Sequence, residues 1–155
     1  MNQKNDHAQI VINPFLIYVA LALCAFLAQK YILLPFIPQS SARIAGVIIM
    51  VFNLSIGLPA VRGMLSAKTS PNPSRPTTSL ILSGPYRFSR NPMYIGLTLL
   101  FAGLMIFFQN LWGILLLPVV IWLITIWVIV PEEEYLELKF GNEYLNYKST
   151  VRRWI

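Results

Sequence analysis

The sequence predicts an all-α integral membrane protein: four transmembrane helices plus a cytoplasmic amphipathic C-terminal helix, in one domain. Three observations carry this. Hydrophobic residues make up 56% of the 155-residue chain and charged residues only 12%, too little charge to cover a water-soluble domain of this size. Apolar runs of the length a helix needs to cross the hydrocarbon, about 20 residues, recur along the chain. The basic residues flank these runs, so the net charge of +6 reads as membrane orientation and contact with anionic lipid, not as a nucleic-acid surface.

The first span is expected from about Ile10 to Leu34 and the second from about Ser41 to Ala60. The turn between them, Pro35 to Ser40, makes these two an antiparallel pair. The third runs from about Pro92 to Phe108, with Pro92 in the first helical turn, where a missing N–H costs nothing. The fourth runs from about Leu111 to Val130. Gln109-Asn110 is the polar break between the last two, so they form a tight hairpin. Trp112 at that break reads as an interfacial anchor, and Pro118 as a kink. Arg62, Lys68, Arg75, Arg87 and Arg90 lie between spans two and three with no acid among them. By the positive-inside rule both termini and this loop (62–90) are cytoplasmic, which fits a bacterial inner membrane. No cleavable signal is expected, because the first apolar run is too long. The stretch Ser66–Ser79 is rich in Ser, Thr and Pro and opposes helix and strand alike. It is a mobile linker or a lid, and the linker is the simpler reading.

The tail from Pro131 to about Ser149 reads as amphipathic helix. Pro131 suits a first helical position and puts Glu132, Glu133 and Glu134 in the first turn, where the helix dipole favours negative charge. Gly141 should end this piece, Asn142 should cap a second, and Tyr144 and Tyr147 share one face of it. Cys24 is the sole cysteine and reads as an apolar filler. No metal site is indicated.

The chemistry concentrates in Ser83-Gly84-Pro85-Tyr86-Arg87-Phe88-Ser89-Arg90-Asn91-Pro92-Met93-Tyr94-Ile95-Gly96, at the doorway of span three. Taken singly, arginines at a membrane edge snorkel, tyrosines form an aromatic belt, and glutamates at a helix start cap it. Together they say more. A tight hairpin brings the ends of spans three and four together, so Arg87, Arg90, Asn91 and Tyr94 face Glu132 and Glu133 across a small polar pocket. Helical geometry turns adjacent side chains about 100° apart, which leaves Glu134 solvated. Such a pocket suits a zwitterion: arginine forks a carboxylate, glutamate faces an ammonium or sulfonium, and tyrosine rings stack on an adenine. S-adenosylmethionine has all these groups.

The block Gly84 to Gly96, then Glu132-Glu133-Glu134-Tyr135-Leu136, Phe140-Gly141-Asn142-Glu143-Tyr144, Tyr147 and Val151-Arg152-Arg153-Trp154, resembles the isoprenylcysteine carboxyl methyltransferases and the related phospholipid methyltransferases. The resemblance covers about Leu80 to Ile155. It implies a helical membrane enzyme holding S-adenosylmethionine on the cytoplasmic side, with contacts from Arg87, Arg90, Asn91, Pro92, Tyr94, Gly96, Glu132, Glu133, Tyr144 and Tyr147. Asn91 stands where many members have histidine. The expected reaction is in-line displacement at the sulfonium methyl by a lipophilic acceptor drawn from the bilayer, with no nucleic acid involved. Arg87 or Arg90 would orient a carboxylate acceptor. An amine or thiol must first lose a proton, and Glu133 is then the candidate base, so Glu133 and Arg90 are the expected catalytic pair. The rivals are a sterol-type reductase using a nicotinamide cofactor and a non-catalytic lipid-binding subunit.

Overall fold

The computed structural model describes residues 7–34, 37–73 and 75–155. Pro35 and Phe36 of the expected turn, and Ser74 of the middle loop, lie outside them. All regular structure among the described residues is helical.

Helix α1 spans Pro14–Tyr31. Asn13 caps it by accepting from the Phe15 N–H at 3.0 Å, and Pro14 opens the first turn. Helix α2 spans Gln39–Ser66 and runs past the expected end near Ala60, straight through Pro59. The correction has a physical cause: among apolar surroundings no water replaces lost helix bonds, so one proline is tolerated where ending the helix would free several groups. Both helices are long and apolar enough to cross a membrane. Their large apolar side chains, among them Phe15, Leu23, Ile48 and Val51, point outward. A soluble fold would not leave so continuous an apolar surface in water, and the chain is a membrane protein. Cys24 is also exposed on α1.

Helix α2 packs chiefly along α3 (Pro92–Phe107), and α1 packs against α3 and the fourth stretch, so the expected pairing of the first two spans is not the main contact. Glycines decide this. A Cβ at Gly46 would lie 2.7 Å from the Gly103 carbonyl oxygen, and one at Gly96 would lie 3.2 Å from Gly57 Cα. Small residues let two backbones approach where packing alone drives association.

The fourth apolar stretch is a chain of short pieces: α4 (Leu111–Leu115), α5 (Leu117–Ile124), a π-helical turn (Thr125–Ile129) and α6 (Val130–Phe140). The first break falls at Leu116, just ahead of Pro118. The π turn has its own cause in Pro131. Having no N–H, Pro131 cannot serve the Trp127 carbonyl four residues back; the Val11 N–H donates to that oxygen instead, at 3.0 Å. The backbone is helical on both sides of Ile129 and Val130. Pro131 therefore does not begin a separate helix, and the glutamates do not sit at a free N-terminus as expected. Gly141 ends α6 at φ +53°, and α7 (Asn142–Thr150) follows, with Asn142 making no side-chain cap. The core lies between α1, α3 and the fourth stretch, around Ile17, Tyr94, Phe101, Met105, Val120 and Ile124.

Candidate functional site

The polar site forms where α3 begins and α6 begins. Gly84, at φ +61°, allows a tight 3-10 turn over Gly84–Arg87. This turn buries Tyr86 and leaves Arg87 exposed. Pro92 starts α3 and is fully buried. Two residues later Tyr94 points inward, and its hydroxyl donates to Glu132 Oε2 at 2.9 Å. Glu133 is buried, while Glu134 is exposed, as the helical phase requires.

Glu133 is held on two sides. Arg153 makes a two-pronged contact, Nε to Oε1 at 3.1 Å and Nη2 to Oε2 at 2.8 Å, and Arg90 Nη2 lies 3.2 Å from Oε1. Charge-assisted forks of this kind fix geometry as well as charge. The C-terminal segment is tied in at several other points. The Arg90 N–H donates to the Arg152 carbonyl at 2.9 Å. Asn91 Nδ2 and Ser89 Oγ donate to the Arg153 carbonyl at 3.0 and 3.2 Å. Trp154 Nε1 donates to Thr125 Oγ1 at 3.3 Å. Tyr147, on α7, donates to the Tyr86 carbonyl at 2.7 Å, and its ring meets that of Tyr144 edge-on.

These side chains enclose a cavity of about 50 Å³ lined by Tyr86, Arg90, Asn91, Glu132, Glu133, Tyr144 and Tyr147, with Met64 and Leu136 beside them. Its remaining wall is the middle loop: Thr69, Thr77, Ser79, Leu80 and Ile81. The described part of that loop is pinned. The Thr69 hydroxyl is buried and lies 2.7 Å from Thr78 Oγ1 and 3.1 Å from Ser79 Oγ. The Thr77 N–H donates to the Tyr135 hydroxyl at 3.1 Å. The loop closes the pocket, where composition favoured a linker.

The electrostatics are uneven. Burial pushes the Glu132 carboxyl up to about 7; the bond from Tyr94 works against this and the Glu133 charge adds to it. The phenols of Tyr86 and Tyr144 are raised by burial first and then by the nearby glutamates, and Tyr147 is pushed up to about 12 by burial. All three stay protonated donors at neutral pH. The bond to Glu133 raises the Arg153 guanidinium. Arg90 keeps two buried nitrogens, Nε and Nη1, without a hydrogen-bond partner among the described residues. An unpartnered buried guanidinium edge costs free energy unless something fills it, and an anionic group would.

Of the residues expected here, Arg90, Asn91, Glu132, Glu133, Tyr144 and Tyr147 line the cavity, and Pro92 and Tyr94 support it. Two are not brought in. Arg87 faces a separate surface groove beside Glu143, because Tyr86 takes the inward position of the same turn. Gly96 lies against Gly57 and Asn53 on the α2–α3 contact. Arg153 was not among the expected contacts. Its place in the Arg152-Arg153-Trp154 block was the available signal. Thr69, Thr77 and Ser79 gave none.

An outward-apolar helical bundle with a charged pocket at one end defines a membrane protein with a built polar site. Residues 41–143 match the model of the phospholipid methyltransferase family, and the chain belongs to that family of membrane methyltransferases. The match takes in α2, further toward the N-terminus than the resemblance from Leu80, and stops short of Tyr144, Tyr147 and Arg153. The chain is similar to an uncharacterized protein of Haemophilus influenzae, 40% identical over 65 residues, covering 41% of this chain and all of that one. No solved structure matches it.

Proposed function

We propose that this protein transfers a methyl group from S-adenosylmethionine to a lipophilic acceptor at the cytoplasmic face of a bacterial inner membrane. The observation that carries the reading is the free edge of Arg90: two buried guanidinium nitrogens without a partner among the described residues, in a pocket also lined by the Glu132 and Glu133 carboxylates. Membership of a methyltransferase family makes a methyl donor the natural occupant. Arg90 would take the donor's carboxylate, Glu132 and Glu133 would set the field around its cationic groups, and Tyr144 and Tyr147 would border the nucleoside. When bound, the donor supplies an electrophilic methyl group on a sulfonium, and no metal or protein nucleophile is required. The protein's part is to align the partners and exclude water.

The cavity of about 50 Å³ holds one or two waters, so binding moves a wall. The loop carrying Thr69 and Thr77 is that wall: its described side-chain contacts, with Thr78, Ser79 and Tyr135, join neutral groups, while ion pairs hold the opposite side. We read the bundle as four spans, the fourth being the segmented stretch from Leu111, with both termini cytoplasmic. Single cysteines at Pro76 and Leu33, with Cys24 replaced, should label from opposite sides; labelling from one side would reject this arrangement. Calorimetry on detergent-solubilised protein tests the cofactor. S-adenosylhomocysteine should bind and NADPH should not. Tight NADPH binding without the methyl-donor product would replace this reading with a reductase.

A further inference from the structure

We infer that this protein is a homodimer within the membrane, α2 of each copy seated in the groove between α2 and α3 of the other. This goes beyond the methyl-transfer reading and does not depend on it. The observation is a polar side chain without a partner at mid-bilayer depth. Asn53 lies midway along the 28-residue α2, between Arg43 and Arg62, which bracket the apolar part of that helix. With α2 crossing the membrane, its amide stands about 15 Å from either edge of the hydrocarbon. Asn53 is only 9% exposed, and no hydrogen bond engages its side chain among the described residues. Oδ1 lies beside α3, where a Cβ on Gly96 would meet it at 2.8 Å. The amide forms part of a groove of about 190 Å³ along the α2–α3 seam. Ser55, two residues on, satisfies itself by donating to the Phe52 carbonyl at 2.7 Å. Asn53 makes no such bond, and an unmet amide among hydrocarbon is costly.

Depth and shape select the occupant. A lipid tail can fill the groove, but lipid ester and phosphate groups lie at the interface and bring no hydrogen-bonding atom to the midplane. A second lipid-facing groove, between α1 and the fourth stretch, shows the contrast. Its exposed lining, with Ala20 and Leu123, is wholly apolar, and an acyl chain completes it. A second copy of this chain carries the atoms that Asn53 lacks, at the right height. Copies inserted in the same sense relate by a two-fold axis along the membrane normal, so each residue lies level with itself across the interface. Asn53 then meets Asn53, and an amide holds both the donor and the acceptor for a reciprocal pair. The shape agrees. Helix α2 sits at the edge of the bundle, packed chiefly along α3. Gly57, one turn from Asn53, notches its flank: a Cβ there would meet Asn53 Oδ1 at 3.2 Å, Gly96 Cα at 4.0 Å and no further neighbour within that distance. Leu54 and Leu58 stand half exposed beside the notch. Such a notch lets a second helix approach closely, and polar side chains then bond across the contact.

Disulfide cross-linking of the full chain in proteoliposomes tests the geometry. In a Cys24→Ala background, Leu54→Cys should link two copies under mild oxidation, and Ala20→Cys, in the other groove, should not. Both positions are exposed on the single chain, so neither change threatens the fold. Linking at Ala20→Cys but not at Leu54→Cys overturns the inference. Energy transfer between donor- and acceptor-labelled copies, diluted stepwise with lipid, tests the contacts. Asn53→Leu should raise the protein-to-lipid ratio needed for half-pairing by about tenfold, the scale of an interhelical hydrogen bond in lipid. Gly57→Leu fills the notch and asks of its own chain only a small shift of the Asn53 amide. It should weaken pairing to a similar degree, and it carries the test if circular dichroism shows Asn53→Leu misfolded. Ala20→Leu should leave pairing unchanged. Wild-type transfer no greater than random at every dilution means that lipid fills the groove, and overturns the inference. Pairing that survives both Asn53→Leu and Gly57→Leu in folded protein overturns it too.

Discussion

Both ends of the helical bundle bury polar groups, and they use them differently. At the hairpin end the groups are neutral and bind backbone. Gln109 Nε2 donates to the Ile37 carbonyl at 2.7 Å, Gln29 Nε2 to the Gln109 carbonyl at 3.3 Å, and Trp112 Nε1 to the Ile32 carbonyl at 2.9 Å. Asn110 is fully buried and caps α4 through the Gly113 N–H. At the doorway end neutral groups also bind backbone, but charged groups are buried beside them and bind one another. Among the described residues each end leaves two buried side-chain polar atoms unpartnered, Gln29 Oε1 and Asn110 Nδ2 at one, Arg90 Nε and Nη1 at the other. Those at the hairpin end lie among packed helices, whereas Arg90 borders a cavity. Burial of polar groups therefore does not by itself mark a site. Unpartnered charge beside space does.

Arg90→Ala should break this contrast most severely. It removes one partner of a buried anion, a change that costs about 3–5 kcal/mol when the partner is not replaced; the surviving Arg153 contact puts the expected loss at the lower end. S-adenosylhomocysteine binding should disappear in calorimetry. Gln29→Ala at the other end should leave that binding intact, and equal losses from both would erase the distinction drawn between the two ends.

Gly46→Ala comes next. Its Cβ would meet the Gly103 carbonyl and the Phe107 Cβ at 2.7 Å. Backbone cannot swing aside, so α2 and α3 must separate, and overpacking of this sort costs about 1–3 kcal/mol. The melting temperature in detergent should fall with little change in cofactor affinity per folded molecule.

A smaller effect should appear in the pH dependence of stability. Glu132 has its folded-state value raised from 4.5 to about 7. Between those values the folded chain holds a proton that the unfolded chain has released, so stability falls as pH rises through that window and levels off above it. Glu132→Gln should flatten this slope in melts recorded from pH 4 to 8. A slope unchanged from wild type would show that Glu132 is solvated and freely ionised.

Trp112→Phe should have the mildest consequence. It removes a single N–H donor to the Ile32 carbonyl, worth about 0.5–1.5 kcal/mol. Stability should drop slightly and cofactor binding should hold; a loss of binding would mean the hairpin end is coupled to the pocket.

Much of this architecture was present in composition and in the proline and glycine positions. Apolar runs can satisfy their backbones in lipid only as helices, so the helical class followed directly. The start of α3 at Pro92, the interruption before Pro118, the stop at Gly141 and the shared face of Tyr144 and Tyr147 are local effects, and local effects are legible in a chain. The approach of Arg90 to the glutamates also followed, because a two-residue break leaves the hairpin no other return. Tertiary contacts decided the rest. Whether α2 pairs with α1 or α3 depends on which backbones can touch, and that is set by Gly46, Gly57, Gly96 and Gly103 meeting from distant positions. Pro131 forecasts a missing donor but not that Val11 supplies it. Arg153 reads as one more basic residue until the chain folds back and aims its fork at Glu133. Glu132 and Glu133 are identical in type and adjacent in sequence. Only three-dimensional packing surrounds one with cations and the other with tyrosines, because the character of an ionisable group is set by neighbours in space.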